Sequence, residues 1–157
     1  MSEVVTIWEC ILRPLLAVGG GALLGWEREK HGKPAGLRTQ MMVALGASAF
    51  TLITIQLCQA SHEAGEFVRI DPSRVVQGII GGIGFLGAGT IIQARGSVQG
   101  ITTAATIWVV GALGVACGLG FYRVAAVTVV LAFMILTAIG HLEKRSFDGS
   151  ESAEGDR

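Results

Sequence analysis

The run Thr103-Ala-Ala-Thr-Ile-Trp-Val-Val-Gly-Ala-Leu-Gly-Val-Ala-Cys-Gly-Leu-Gly120 decides the fold, together with Tyr122-Arg-Val-Ala-Ala-Val-Thr-Val-Val-Leu-Ala-Phe-Met-Ile-Leu-Thr-Ala-Ile-Gly-His141 one residue later. A helix that crosses a bilayer needs roughly 20 mostly apolar residues, and both runs have that length and character. Outward from them, stretches of the same kind occupy 8–26, 39–58 and 74–93. The reading is an all-α, polytopic membrane protein of five transmembrane helices, forming one domain over residues 1–144. The polar tail 145–157 is too short to fold alone and is read as disordered and cytoplasmic. No Lys or Arg precedes the first apolar run, which argues against a cleaved signal peptide.

Composition points the same way. Hydrophobic residues make up 51% of the 157 residues and charged ones 15%, against about 25% charged in an ordinary globular domain. Mean hydropathy is +0.59. Twelve Lys and Arg balance twelve Asp and Glu, which excludes a basic nucleic-acid binder. A soluble enzyme would need a charged surface that this chain lacks. No nucleophile–base arrangement is legible, so the expectation is a protein that is not an enzyme and needs no cofactor. Cys10, Cys58 and Cys117 show no metal-ligand spacing and read as small packing residues.

The Lys and Arg distribution sets the expected orientation. The loop after span one, the loop after span three and the tail together hold eight Lys and Arg, and the opposite side holds four. The positive-inside rule then places the N-terminus outside and the C-terminus in the cytoplasm. Trp8 and Trp26 bracket span one at a separation of about 27 Å along a helix, suited to the two interfaces.

The chain contains two similar elements. Gly32-Lys-Pro-Ala-Gly36-Leu-Arg-Thr39 and Gly96-Ser-Val-Gln-Gly100-Ile-Thr-Thr103 both read G-x-x-x-G-[LI]-x-T, 64 residues apart. Leu24-Gly25 and Leu86-Gly87 correspond at an offset of 62. Spans one–two and three–four therefore read as two parallel helix hairpins, plus a fifth helix. Chance is the competing account in a chain with 23 glycines. The elements precede spans two and four, with Thr39 and either Thr102 or Thr103 as expected N-caps. Helix N-termini attract anions, and Arg28, Lys33, Arg38 and Arg95 lie close in sequence. An anion site on this inner rim competes with plain capped helix ends. Glu27 and Arg28 point to different sides of a helix, so each needs another partner. Glu27 is the expected partner of Arg38.

Span three carries Gly78, Gly81, Gly82, Gly84, Gly87 and Gly89. Gly78, Gly81, Gly82 and Gly89 share one helical face, expected to pack closely on another helix. Gly21/Gly25 and Gly114/Gly118 are further GxxxG pairs. Asp71-Pro-Ser-Arg74 opens the span as N-cap and first turn, and Gln77 follows. Asp71, Arg74 and Gln77 mark the outer boundary. Deep within the spans there is no Asp, Glu, Lys or His; the polar groups there are mainly threonines and read as structural. His62, Glu63, Glu66 and Asp71 would hold a divalent ion only loosely, and a solvated loop is the plainer reading.

Gly25-Trp-Glu-Arg-Glu29, Gly32–Thr39, Asp71-Pro-Ser-Arg74, Gly81-Gly-Ile-Gly-Phe-Leu-Gly-Ala-Gly89 and Gly96–Thr106, in this order, closely resemble the MgtC/SapB membrane proteins over about residues 11–140. The resemblance implies a bacterial inner-membrane protein with five spans. It associates the chain with magnesium limitation, virulence inside macrophages and adaptation to acid stress. It also implies a modulator of other membrane complexes, the ATP synthase among them, and not a Mg²⁺ transporter. The protein that names the family carries a soluble domain after its fifth span, whereas this chain stops about fifteen residues past it. Trp26 and Gln40 stand where the family usually has other residues. Two functions follow as expectations: a non-enzymatic modulator that docks through helix faces in the bilayer, as a homo-oligomer or on another complex, or a transporter or channel for a small ion or anion.

Overall fold

The structure, a computed structural model, describes residues 5–63, 71–94 and 97–154, with side chains described outside 63, 94 and 139–154. Its elements are α1 (Ile7–Lys30), α2 (Leu37–Glu63), α3 (Pro72–Ala88), β1 (Ile92–Ala94), β2 (Ser97–Gln99), α4 (Ile101–Gly118) and α5 (Tyr122–Glu154). The five expected helices are present. By length and composition α1, α2 and α4 are apolar enough to cross a membrane, and Tyr122–Ala138 of α5 is a shorter apolar helix. The backbone of α5 continues through the polar stretch after Lys144 as far as Glu154.

Local chemistry explains most helix ends. Thr6 and Glu9 form a reciprocal capping box at the start of α1. Asp71 caps α3, accepting from the Ser73 N–H at 2.9 Å, with Pro72 in the first turn. The end of the third helix differs from the sequence reading. The third span was expected over 74–93, yet α3 stops at Ala88. Thr90 and Ile91 turn back onto the Gly87 and Ala88 carbonyls. The chain then forms an antiparallel ribbon with Ile92 opposite Gln99. Glycine stabilises helix poorly, and the β-branched Ile91 and Ile92 suit the strand that follows.

The core lies among α1, α2 and α4. Helix α3 packs on α4 and α2, and α5 packs on α4 and α1. Small residues decide this arrangement. A Cβ on Gly25 would lie 2.7 Å from the Leu37 Cα, and one on Gly21 would lie 2.8 Å from the Gln40 carbonyl oxygen. One on Gly114 would lie 2.5 Å from the Ala44 carbonyl oxygen, and one on Gly118 would lie 2.7 Å from Thr51 Cβ. Two of the three GxxxG pairs thus bring α1 and α4 against α2 at backbone contact. Ala17, Leu24, Ala44, Val110, Leu113, Ala116, Cys117 and Ala125 fill the space between.

The third pair corrects the sequence reading. Positions 78, 81, 82 and 84 have nothing within 4 Å of where a Cβ would be. At Gly89 the nearest atom is the Leu86 carbonyl oxygen of its own turn. The face assigned to tight packing by Gly78, Gly81, Gly82 and Gly89 is therefore open among the described residues. The opposite side of α3 makes the contact: Ile83 packs against Gly111, and Gly87 lies against Ala104. A glycine stripe permits close approach on whichever side a neighbour lies, and the neighbouring helices lie along the Ile83–Gly87 side.

Corresponding positions of the two hairpins make corresponding contacts. Gly25 abuts Gln40, and Gly87 abuts Ala104. The Gly36 carbonyl accepts from the Gln40 N–H at 3.1 Å, and the Gly100 carbonyl from the Ala104 N–H at 2.9 Å. These are the offsets of 62 and 64 seen in the sequence, and they support a repeated hairpin. The connectors differ, one a tight turn and the other the β1–β2 ribbon. Outside the core, Trp8, Phe50, Phe85, Val127 and Ile135 are exposed, with Phe85 at 81%. Such a surface suits lipid and not water.

Candidate functional site

The charged end of α1 meets the starts of α2 and α4. Here Glu27 and Arg28 are buried, at 8% and 5% exposure, deep at the last turn of a helix whose outer face is apolar. They diverge as adjacent helical residues must. Arg28 Nη2 donates to Thr103 Oγ1 at 2.6 Å, joining α1 to the first turn of α4. Glu27 Oε1 lies 3.0 Å from His31 Nδ1, one turn on. Arg28 Nε, Glu27 Oε2 and Gln40 Oε1 are buried without a hydrogen-bond partner. A hydrogen bond to a charged group contributes about 1.5–3 kcal/mol, whereas burying an ion costs several kcal/mol. The Thr103 hydroxyl is the guanidinium's hydrogen-bond partner among the described residues, and the Glu27 charge also favours it, while Nε is left without a partner.

The first connector is held by Glu29. Its Oε2 accepts from the Leu37 N–H at 2.9 Å and so caps α2 with a negative charge. Gly36 lies beside it, and a Cβ there would come within 2.8 Å of that oxygen and displace the carboxylate. Gly32, at φ +62°, closes α1 by donating to the Glu29 carbonyl, and Lys33 donates to that of Arg28. Gln40 is fully buried and donates to the Ala35 carbonyl at 3.1 Å.

Several expected roles move. Thr39 and Arg38 are exposed. The carboxylate at the α2 N-terminus is Glu29, while Glu27 engages His31 and not Arg38. Neither Thr102 nor Thr103 caps α4; the N-cap is Gly100, at φ +90°, without a side-chain bond. The Gly100 position allows no Cβ, which would run into the Thr90 carbonyl. Thr102 is exposed, and its carbonyl accepts from the Thr106 hydroxyl at 2.8 Å. Thr103 serves Arg28 instead. Gly96 and Arg95 lie outside the described residues. Glu29 was legible only as part of a motif; its spacing of eight residues from Leu37 spans a turn that no helical periodicity predicts.

At the other end, Asp71, Arg74 and Gln77 are exposed. The Ser73 hydroxyl and N–H hold the Asp71 carboxyl below the usual carboxylate range, with Arg74 helping through its charge. Arg74 also lines a groove of about 600 Å³ between α2 and α3, with Val43, Gly46, Phe50, Gly78 and Gly82. Arg13, near the same outer boundary, has a partner that the sequence does not indicate. It donates to the Gly118 carbonyl at 2.9 Å and pairs with Glu9 at 2.5 Å, capping α4 from α1. The Glu9–Arg13 spacing of four was the available signal. Of the loop candidates, His62 is exposed, while Glu63 and Glu66 lie outside the described side chains. Among the described residues no three His, Cys, Asp or Glu side chains converge as metal ligands.

The MgtC family model matches residues 15–145, which takes in most of the first hairpin, all of the second and the Arg28–Thr103 junction. The chain belongs to the MgtC family. It is 38% identical to SrpB of Synechococcus elongatus over 84% of its length and 75% of that protein. It is 34% identical to YhiD of Escherichia coli K12, over 87% of this chain and 63% of the relative. It is 35% identical to MgtC of Salmonella typhimurium LT2, over all of this chain and 64% of MgtC. The chain thus spans less than two thirds of YhiD and MgtC. No solved structure matches it. Membership in the MgtC family, with several apolar helices, makes it a multi-pass membrane protein.

Proposed function

We propose that this chain is a non-enzymatic inner-membrane protein that modulates another membrane complex by docking a helix face against it, in support of growth under magnesium limitation, acid or intracellular stress. Its N-terminus lies outside and its C-terminus in the cytoplasm. The observation that carries the reading is the α2–α3 groove. Apart from Arg74 it is lined by apolar residues, and Gly46, Gly78 and Gly82 offer backbone-close access that no described helix uses. The buried hydroxyls support the same reading. Thr51, Thr54 and Thr106 each donate to the carbonyl four residues back, the intrahelical arrangement of a structural hydroxyl. The ATP synthase is the partner that the family resemblance suggests. A photo-crosslinking residue at Gly82 should capture a membrane subunit in cells, and proteoliposomes holding only this protein should show no ion flux. Flux above that of empty vesicles would replace the modulator with the transporter reading.

The transporter remains the second reading. YhiD bears a name that describes a candidate magnesium transporter, and the buried Arg28, whose Nε is without a partner, is a place where a small anion would be held.

A further inference from the structure

We propose that Arg28 and the first turn of α4 form a binding site for a phosphate-class oxyanion. The inference does not depend on the modulator reading. Two independent observations meet here. The first is the start of α4, an 18-residue helix with no side-chain cap. Its free N–H groups and dipole carry partial positive charge. Gly100 in the left-handed region, followed by helical residues, turns successive N–H groups towards one side, the backbone geometry of an anion nest.

The second is Arg28 itself. It is 95% buried by the 5% exposure that remains, its Nε is without a partner, and its Nη2 reaches Thr103 in that same first turn. A guanidinium aimed at the positive end of a helix meets an opposing field unless an anion lies between them. Among the described residues Arg28 has no ion pair. Glu27, the nearest carboxylate in sequence, directs one oxygen to His31; its charge favours that of Arg28 but it makes no hydrogen bond to the guanidinium. The end of α1 offers little relief, because the Glu27, Arg28 and Glu29 carbonyls already accept from His31, Lys33 and Gly32. Guanidinium plus helix N-terminus is the donor set that recognises phosphate, through a planar fork and convergent N–H groups.

The phosphate has two possible sources, a free phosphate or the headgroup of an anionic lipid, since the polar end of α1 would lie near the interface. The test uses the full chain purified in delipidating detergent. Its melting temperature is measured with inorganic phosphate or chloride at matched ionic strength, and binding to phosphatidylglycerol is measured in nanodiscs by native mass spectrometry. The wild type should be stabilised by phosphate over chloride. Arg28→Gln should bind about tenfold or more weakly, and Lys30→Gln, an equal charge change on an exposed neighbour, should bind as the wild type does. Arg28→Lys should bind with intermediate strength, keeping charge without the fork. Phosphate binding that phosphatidylglycerol does not displace assigns a free phosphate; lipid binding alone, sensitive to Arg28, assigns a headgroup. If Arg28→Gln does not fold, the wild type decides. Equal melting in phosphate and chloride, with no preference for phosphatidylglycerol over a zwitterionic lipid, overturns the site. Equal loss in Lys30→Gln and Arg28→Gln overturns it as well, reducing the effect to diffuse charge.

Discussion

The Arg28 guanidinium and the Thr103 hydroxyl, 75 residues apart, meet at 2.6 Å and join the end of one hairpin helix to the start of another. The contact makes Arg28 a residue of the interior. Arg28→Ala should therefore abolish growth support at low Mg²⁺, whereas Arg38→Ala, at an exposed position, should leave it near normal. Immunoblots of membranes alongside growth curves check this. Normal Arg28→Ala protein levels with lost function mark a functional residue; loss of the protein marks a structural one.

Thr103→Val keeps the shape of the side chain and removes the hydroxyl. The buried guanidinium then loses its described partner, and stability should fall by about 1.5–3 kcal/mol. Thermal melting in detergent reads this as a lower midpoint. Thr39→Val, the matching position of the first hairpin and an exposed one, should melt like the wild type.

The glycines divide sharply. Gly114→Ala drives a methyl group into the Ala44 carbonyl and should cost about 1–3 kcal/mol or prevent assembly. Gly82→Ala enters open space inside α3 and should raise the melting point, by about 0.5–1 kcal/mol of stability. A bulky residue at Gly82 should also leave the isolated protein folded while removing function in cells, because the groove would be filled. A Gly82→Leu protein that fails to fold in isolation would restore the tight-packing reading of that face.

Asp71 predicts a pH dependence. Its carboxyl is held low in the folded protein by Ser73, so the charged cap contributes above the unfolded value, about 3.9. The contribution fades as pH falls through the lower folded value. Asp71→Asn retains a capping oxygen without the charge. Melting of the two proteins from pH 6 down to pH 3 should converge at the acidic end; parallel curves throughout would show that the Asp71 charge contributes nothing.

Topology is tested by a reporter fused after Arg157 and a single cysteine at His62. The reporter should be active only in the cytoplasm, and the cysteine should label from the opposite side. Same-side signals would remove one span from the membrane.

Residue type and order alone determined the helical membrane class and the cap at Asp71, and offered the match between two hairpins that the contacts then support. Each depends on chemistry within a few residues or on a repeat visible along the chain: apolar runs of bilayer length, a carboxylate before a proline, and matched glycines. Only the tertiary structure decided which glycines are filled. All three GxxxG pairs look alike in sequence, and the difference between Gly114 against Ala44 and Gly82 against nothing lies in where the neighbouring helices stand. The same holds for the charged end of α1. Glu29, Glu27 and Arg28 are neighbours in sequence, and a helix sends them in separate directions, to the α2 N-terminus, to His31 and to Thr103. Those partners lie on other turns and other helices, so long-range packing, which local periodicity does not encode, selected among them.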